Sequence, residues 1–158
     1  MDPPPIRLIA DSMLGRLAKA LRMLGFDVAY APFTEDRELI RQAHDESRIL
    51  LTRDTGIVRR RDLPRHVFIG SDHVREQLAQ VMRELGLTLD RQAAFTRCIV
   101  CNELLCEVAK ESVRPEVPPY VYHTQERFAR CPGCRRTYWR GTHTTGMERT
   151  LEELAAGQ

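Results

Sequence analysis

The chain has 158 residues, of which 42% are hydrophobic and 29% are charged, so the composition favours a packed globular core. No apolar run approaches the roughly 20 residues of a membrane-spanning helix. Residues 1–5 (MDPPP) lack the apolar segment of a signal peptide. We therefore expect a cytoplasmic protein with no membrane contact. The formal net charge of +2 is small, so charge alone does not identify a partner.

Hydrophobic periodicity over residues 1–92 predicts strands that alternate with helices. Strand-like runs occupy four places: residues 6–10, 27–30, 49–52 and 67–70. Helical patterns occupy three others: residues 13–24, a segment that begins at 34–36, and residues 74–85. This alternation predicts an α/β fold in which a parallel sheet carries helices on both faces. The short, fully apolar strands agree with burial on both sides.

Acidic residues follow the predicted strands. Asp11, Asp54 and Asp72 come just after three of the strands, and Asp36 lies at or near the start of a helix. In an open parallel sheet the carboxyl ends of all strands lie at one edge, where ligands bind. We expect the four carboxylates to converge there, where Mg²⁺ or Mn²⁺ would neutralise them. A metal held in this way positions water for attack on a phosphodiester.

Each acid also has an ordinary structural interpretation. Asp11 suits a helix N-cap as well as a ligand, although Ser12 can take the capping role instead. Asp36, with Glu38 as a rival, suits the first turn of a helix, where an acid interacts favourably with the helix dipole. Asp54 can be a plain turn residue, and Ser71 and Asp72 together suit a helix cap equally well. The combination indicates a site, because independent caps have no reason to share one edge.

Four of the five cysteines form two pairs of identical spacing: Cys98, Cys101, Cys131 and Cys134. Two C-x₂-C pairs supply the four thiolates of a closed tetrahedral site that suits structural Zn²⁺. In a chain with no export signal they favour metal binding over disulfides. The residues between the pairs can form the strands and turns of a zinc ribbon. We therefore divide the chain into a first domain, residues 1–92, and a ribbon domain, residues 93–158.

Arginine supplies 22 of the 24 basic residues and is concentrated in residues 53–65 and 127–140. Guanidinium groups match phosphate oxygens, so both stretches are candidates for contact with a nucleic-acid backbone. An exposed tryptophan can stack on an unpaired base. The predicted RNA-binding residues are Arg22, Arg59, Arg60, Arg61, Arg135, Arg136 and Trp139. Two alternatives stay open: the second stretch offsets the charge of a zinc–thiolate centre, and Trp139 fills a small core.

The order of these motifs resembles a known family. The segments ADSMLGRLA (10–18), LRMLGFD (21–27) and LTRD (51–54) are similar to the Mut-seven C-terminal RNase family, whose domain is PIN-like and ends in a zinc ribbon. The segments RCIVCN (97–102), CPGC (131–134) and YWRGTH (138–143) are similar to its ribbon. The resemblance extends over roughly residues 6–154.

The resemblance implies a metal-dependent ribonuclease that acts on RNA. Structural zinc would be bound by the four cysteines, and catalytic Mg²⁺ or Mn²⁺ by Asp11, Asp36 and Asp54. Asp72 is a plausible fourth acid. Arg53 would contact the scissile phosphate or, alternatively, damp the repulsion between the carboxylates.

A second hypothesis is a non-catalytic RNA-binding or ribosome-associated protein, in which the ribbon and the arginines make the contacts. The RNA substrate, the mode of cleavage and any protein partner stay open.

Overall fold

A computed structural model describes residues 3–141, 146–150 and 152–153 of the chain. The first part contains four strands: β1 (Arg7–Ala10), β2 (Asp27–Tyr30), β3 (Ile49–Thr52) and β4 (His66–Phe68). It also contains four helices: α1 (Gly15–Met23), α2 (Asp36–Asp45), α3 (Thr55–Val58) and α4 (Val74–Leu85). The strands form one parallel sheet in the order β2-β1-β3-β4, which confirms the predicted α/β class. No helix in the described ranges is long and apolar enough to cross a membrane.

Helices cover both faces of this sheet, as the apolar strands predicted. Alternate side chains of a strand point to opposite faces. Leu8 and Leu51 therefore join the core beneath α1 and α4, whereas Ile9 and Leu50 join the core beneath α2 and α3. The central strands β1 and β3 are buried almost throughout, whereas the edge strands β2 and β4 are partly exposed.

The first turn after β1 differs from the continuous helix that the sequence predicted. Residues Ser12–Leu14 form a 3₁₀ turn, and the α-helix begins only at Gly15. Asp11 accounts for the difference, because its side chain accepts a hydrogen bond from Met13 N and so caps the tighter turn. Gly25 follows α1 with φ 95°, and a Cβ there would lie 2.3 Å from the carbonyl oxygen of Ala93. Only glycine fits this turn, as its place after the predicted helix suggested.

The second part of the chain is a small antiparallel sheet. Its strands β5 (Cys106–Val108), β6 (Phe128–Arg130) and β7 (Thr137–Trp139) pair in that order. A separate core lies beneath them, centred on Val113, Val117 and Phe128. Between β5 and β6 the chain forms a short helix, α5 (Pro119–Thr124), where the sequence had predicted only strands and turns.

The two parts have separate cores but an extended contact. Ala94 and Phe95 pack with the first core, and Phe95 N donates to Met23 O (2.7 Å). The boundary between residues 92 and 93 stays a prediction, since the linker from residue 87 onward adheres to the first core before the ribbon begins.

Arg48 ties together the amino-terminal edge of the large sheet. Its buried guanidinium donates to Leu8 O (2.9 Å), to Asp27 Oδ1 (2.7 Å) and to Glu46 Oε2. Burial raises the pKa of the Asp27 carboxyl, but hydrogen bonds from Arg48 and Asn102 outweigh burial and bring that pKa below its ordinary value. The charge of Asp27 therefore stabilises the folded state.

We expect Asp27→Asn to lower the free energy of unfolding by about 1 kcal/mol at neutral pH. Asparagine keeps the oxygen that accepts from Arg48 and Asn102, but it loses the charge and the long hydrogen bond (3.4 Å) that Arg7 Nε donates to Asp27 Oδ2. The side chain is 23% exposed, so solvent screening keeps this value modest. Because the folded pKa is lowered, the contribution is complete above the unfolded pKa of about 3.9 and is lost as the pH falls through the folded pKa. Urea unfolding should show the two proteins converging below about pH 4. A difference that does not change with pH would contradict this account.

Candidate active site and metal centre

The carboxyl ends of the four parallel strands form the edge where the predicted acids lie. Asp11 follows β1 and Asp54 follows β3, the two central strands. From β1 the chain passes to β2 on one side and later returns to β3 on the other. Ligands bind at such a reversal of strand order, because the loops on either side diverge and leave a crevice.

Asp11 is held rigidly at this reversal. It is 3% exposed; its Oδ1 accepts from Met13 N (2.8 Å), and its Oδ2 accepts from Thr52 Oγ1 (2.6 Å) and Arg53 N (2.9 Å). A carboxylate offers about four acceptor positions, so about one stays free, on Oδ1. Asp11 is thus both a helix cap and a fixed carboxylate with one remaining acceptor position.

Thr52 connects the two central acids. Its hydroxyl donates to Asp11 Oδ2 and accepts from Asp54 N (3.0 Å). It therefore links the Asp11 side chain, after β1, to the Asp54 backbone, after β3. Asp54 caps α3 through Oδ1, which accepts from Gly56 N (2.7 Å) and Ile57 N (3.4 Å). Its Oδ2 accepts no hydrogen bond from the residues that the structure describes. We did not predict a role for Thr52, although a threonine that ends a fully apolar strand was the available signal.

Asp36 and Asp72 are more exposed to solvent than Asp11. Asp36 is the exposed first residue of α2, and Asp72 is 76% exposed, with Oδ1 3.5 Å from His73 Nε2. A hydrogen bond with Asp62 raises the pKa of Arg60, and the charge of Asp36 raises it further. Helix α3 lies beside α2, because Ile57 packs in one core cluster with Leu39 and Ile40.

Within the described residues the acids do not form a compact ligand set of three. The cysteines form the one group of three or more candidate ligands whose atoms all lie within 4.8 Å of one another. Direct ligation by Asp11, Asp36 and Asp54 together is therefore not seen. The donor set still suits Mg²⁺, which keeps several waters and uses only one or two carboxylates.

A groove of about 350 Å³ lies beside these acids, between the starts of α1 and α4. Met13, Arg16, Arg53, Asp72 and Gln77 are among its lining residues. The guanidinium groups of Arg16 and Arg53 make no ion pair with any described residue, so both are available to an anion. Arg16 was missed by the sequence analysis, although it lies inside the segment 10–18 that carries the family resemblance.

The four paired cysteines form a preorganised metal centre. The Sγ atoms of Cys98 and Cys134 are 3.6 Å apart, and those of Cys101 and Cys131 are 3.1 Å apart, with no disulfide. Zn–S bonds of about 2.3 Å in a tetrahedron would place the sulfurs about 3.8 Å apart, close to this arrangement. All four positions belong to the protein, so the site suits a structural zinc ion with no open position for water.

Both cysteine loops close in the same way. Asn102 N donates to Cys98 O (3.0 Å) and Arg135 N donates to Cys131 O (3.0 Å). Asn102 and Arg135 each follow the second cysteine of a pair and have φ of 71° and 66°. This left-handed residue turns each loop so that both of its thiols face the same point.

Hydrogen bonds prepare one of the thiols for metal. Burial raises the pKa of Cys98, but hydrogen bonds with Tyr138 (Oη to Sγ 2.9 Å) and with backbone N–H groups outweigh it and lower the pKa to about 6. Burial and the neighbouring thiols raise the pKa of Cys101 to about 12. Metal binding would displace the protons that the thiols retain.

Comparison with protein families agrees with this arrangement. Residues 6–151 match the model of the Mut7-C RNAse domain. The chain belongs to this family. The suspected family is confirmed, and membership indicates a nuclease-like function with RNA as the class of substrate. The chain has no significant match among curated proteins or among solved structures.

The Mut7-C ribbon brings three of the predicted RNA-binding residues together. Arg135, Arg136 and Trp139 line a groove of about 420 Å³, together with Ile99, Val100, Glu116, Thr137 and Tyr138. Neither Arg135 nor Arg136 makes an ion pair with a described residue. Trp139 also packs against the ribbon core, so its interpretation as a core residue holds as well. His143, which belongs to the ribbon segment 138–143, lies outside the described residues.

Arg22 corrects one of our predictions. We expected it to bind RNA, but it is 3% exposed and donates to Val28 O (2.9 Å), Ile99 O (3.0 Å) and Val100 O (3.0 Å). Burial lowers its pKa, and the charges of Cys98 and Cys101 oppose that lowering. Arg22 of the Mut7-C domain therefore fastens α1 to the first cysteine loop and offsets thiolate charge.

The other predicted arginines stay at the surface. Arg59 and Arg61 are exposed and make no ion pair with described residues, while Arg60 pairs with Asp62 (3.0 Å). Their contact with RNA stays a prediction.

Proposed function

We propose that this Mut7-C domain hydrolyses RNA phosphodiester bonds, using Mg²⁺ or Mn²⁺ held by Asp11 and Asp54. The observation that carries the proposal is the link Asp11–Thr52–Asp54 at the reversal of strand order. The Thr52 hydroxyl joins the carboxylate of Asp11 to the backbone of Asp54, whose own carboxylate is fixed by Gly56 N and Ile57 N. Each carboxylate keeps a remaining oxygen position, so together they form a rigid site for a hard cation. Asp36 and Asp72, at the flanks, would join through water molecules.

The protein's own groups have separable roles in this reaction. When bound, the metal activates water and stabilises the leaving oxygen. Asp11 and Asp54 would hold the metal. Thr52 Oγ1 keeps the Asp11 carboxylate from rotating, and Gly56 N and Ile57 N do the same for Asp54. Arg53 and Arg16 bind phosphate oxygens in the adjacent groove, where their unpaired charge offsets that of the phosphodiester. A zinc ion enclosed by the four cysteines would take no part in the chemistry, because no coordination position stays open for water.

We expect zinc-loaded protein to cleave a mixture of single-stranded and structured RNA only when Mg²⁺ or Mn²⁺ is added. The comparison should omit these ions instead of adding EDTA, because EDTA competes for the structural zinc as well. Zinc content, measured before and after the reaction, is the control for an intact ribbon. Equal cleavage with and without added Mg²⁺ or Mn²⁺ would contradict the proposal.

RNA binding without cleavage is the second candidate, and two observations favour it. The ribbon groove combines Arg135 and Arg136 with an aromatic side chain, and the acids do not form a three-ligand cluster among the described residues. Tight, salt-dependent RNA binding, with no cleavage under any of these conditions, would select this candidate.

A further inference from the structure

Phe33 is exposed to a degree that packing does not explain. Its side chain is 96% exposed, at the tip of a turn that Thr34 N closes on Ala31 O (3.4 Å). Tips of turns are normally occupied by small polar residues. Pro32 precedes it and restricts the backbone of the turn, so the ring is presented on a stiff support.

This turn lies at the edge where Asp11 lies. It follows directly from β2, the neighbour of β1 in the sheet. Tyr30, the last residue of β2, donates its hydroxyl to Ser12 O (3.2 Å), one residue after Asp11. The exposed ring therefore lies on a turn that Tyr30 tethers to the backbone next to Asp11.

The surroundings of Phe33 are basic. Arg37, in the first turn of α2, makes no ion pair with described residues, and the same holds for Arg59 and Arg61. Helix α3 lies beside α2, because Ile57 packs in one core cluster with Leu39 and Ile40. An aromatic face among unpaired guanidinium groups is complementary to a nucleotide, whose base is apolar and whose phosphate is anionic.

We propose that Phe33 stacks on an unpaired RNA base beside the scissile phosphate, so that the enzyme selects single-stranded RNA. This inference rests on the proposed function and names its substrate class. Bases inside a duplex are already stacked and present no free face to the ring. Phe33 is thus a positioning residue: it holds the RNA strand at the edge of the sheet while Arg16 and Arg53 bind phosphates in the groove.

The test compares Phe33→Ala, Phe33→Trp and the control Tyr120→Ala. Tyr120 is also an exposed aromatic residue, 77% exposed, but lies on α5 of the ribbon. We expect Phe33→Ala to lower kcat/KM for single-stranded RNA by about 10-fold or more, with little change for a duplex. Phe33→Trp should retain most of the activity because it keeps a stacking face, and Tyr120→Ala should behave like wild type.

A binding measurement separates this inference from the proposed function. RNA that carries 2-aminopurine loses fluorescence when that base stacks, so titration without Mg²⁺ or Mn²⁺ reports stacking even if no cleavage occurs. We expect quenching by wild type and Phe33→Trp but not by Phe33→Ala. Cleavage that is unchanged in Phe33→Ala would overturn the inference and leave the nuclease proposal standing. An equal loss of cleavage on single-stranded and duplex RNA would overturn it too. So would a difference in sedimentation coefficient between wild type and Phe33→Ala, because it would mean that Phe33 lies in a contact between protein chains.

Discussion

Asp54→Asn is expected to reduce RNA cleavage by at least about 1000-fold, which corresponds to about 4 kcal/mol of transition-state stabilisation. The substitution changes the charge of residue 54 without disturbing its hydrogen bonds. Asparagine keeps the Oδ1 atom that accepts from Gly56 N and Ile57 N, so it caps α3 as aspartate does. It loses the negative charge that a hard cation requires. The free energy of unfolding should therefore change by less than about 0.5 kcal/mol.

The matched control is Asp72→Asn. Asp72 follows β4 at the same edge, but it is 76% exposed, and its Oδ1 lies 3.5 Å from Nε2 of the equally exposed His73. We expect a loss of activity below about 10-fold for this variant, because a group that acts through water contributes less than a fixed ligand. The measurements are single-turnover cleavage rates with Mn²⁺ and urea unfolding of each variant. Full activity in Asp54→Asn would remove Asp54 from the site. Equal large losses in both variants would mean that the metal lies nearer to β4.

Asp11 is a poorer choice for this test, although it is the more deeply buried acid. Both of its oxygens accept hydrogen bonds, and Oδ2 receives two donors, Thr52 Oγ1 and Arg53 N. An amide nitrogen at either position would face a donor, so Asp11→Asn would cost stability as well as activity. A loss of cleavage in that variant could not be attributed to the metal alone.

Removal of the structural metal is the second large effect. We expect Cys131→Ser to unfold the ribbon, because its small core relies on zinc, and structural zinc contributes on the order of 10 kcal/mol in isolated finger peptides. The first sheet should also lose stability. Ile99 and Val100, in the first cysteine loop, accept the hydrogen bonds of buried Arg22. Once the loop unfolds, that guanidinium loses two of its three partners.

Cys106→Ser is the control for this experiment. Cys106 is exposed, lies in β5 and is not part of the four-cysteine group. The variant should retain one zinc ion per chain and the wild-type melting temperature. Hydrogen exchange measured on Cys131→Ser should show fast exchange in β5, β6 and β7, and faster exchange around α1 and β2 than in wild type. Unchanged protection in α1 and β2 would refute the coupling that Arg22 provides.

The elements of the first sheet could be predicted because their signals are local. Ile49–Thr52 is a fully apolar run with polar residues on both sides, and Val74–Leu85 repeats apolar residues at helical spacing. Helix α3 was missed because Thr55–Val58 is too short for periodicity to register. Helix α5 was missed because its apolar residues make no helical stripe: no residue of Pro119–Thr124 is fully buried.

The candidate site was predicted by residue but not by geometry. The order of motifs identified Asp11 and Asp54, since acids after parallel strands must share an edge. It did not reveal that Thr52 bridges them, or that Asp36 and Asp72 stay outside a three-ligand cluster in the described residues. Those features depend on side-chain directions in loops, which no pattern along the chain specifies.

The sequence by itself determined the α/β class, the four-cysteine candidate metal site and the family, because apolar periodicity and the spacing of cysteines act over a few neighbouring residues. Only the tertiary structure decided the role of Arg22. On the sequence it is one of 22 arginines, and its partners Ile99 and Val100 lie 77 and 78 residues away. A charged side chain is stable in that position only if the fold brings carbonyl groups and thiolates to it. Arg22 has such partners and fastens the ribbon. Arg16 and Arg53 make no ion pair with any described residue, so their guanidinium groups stay available to an anion.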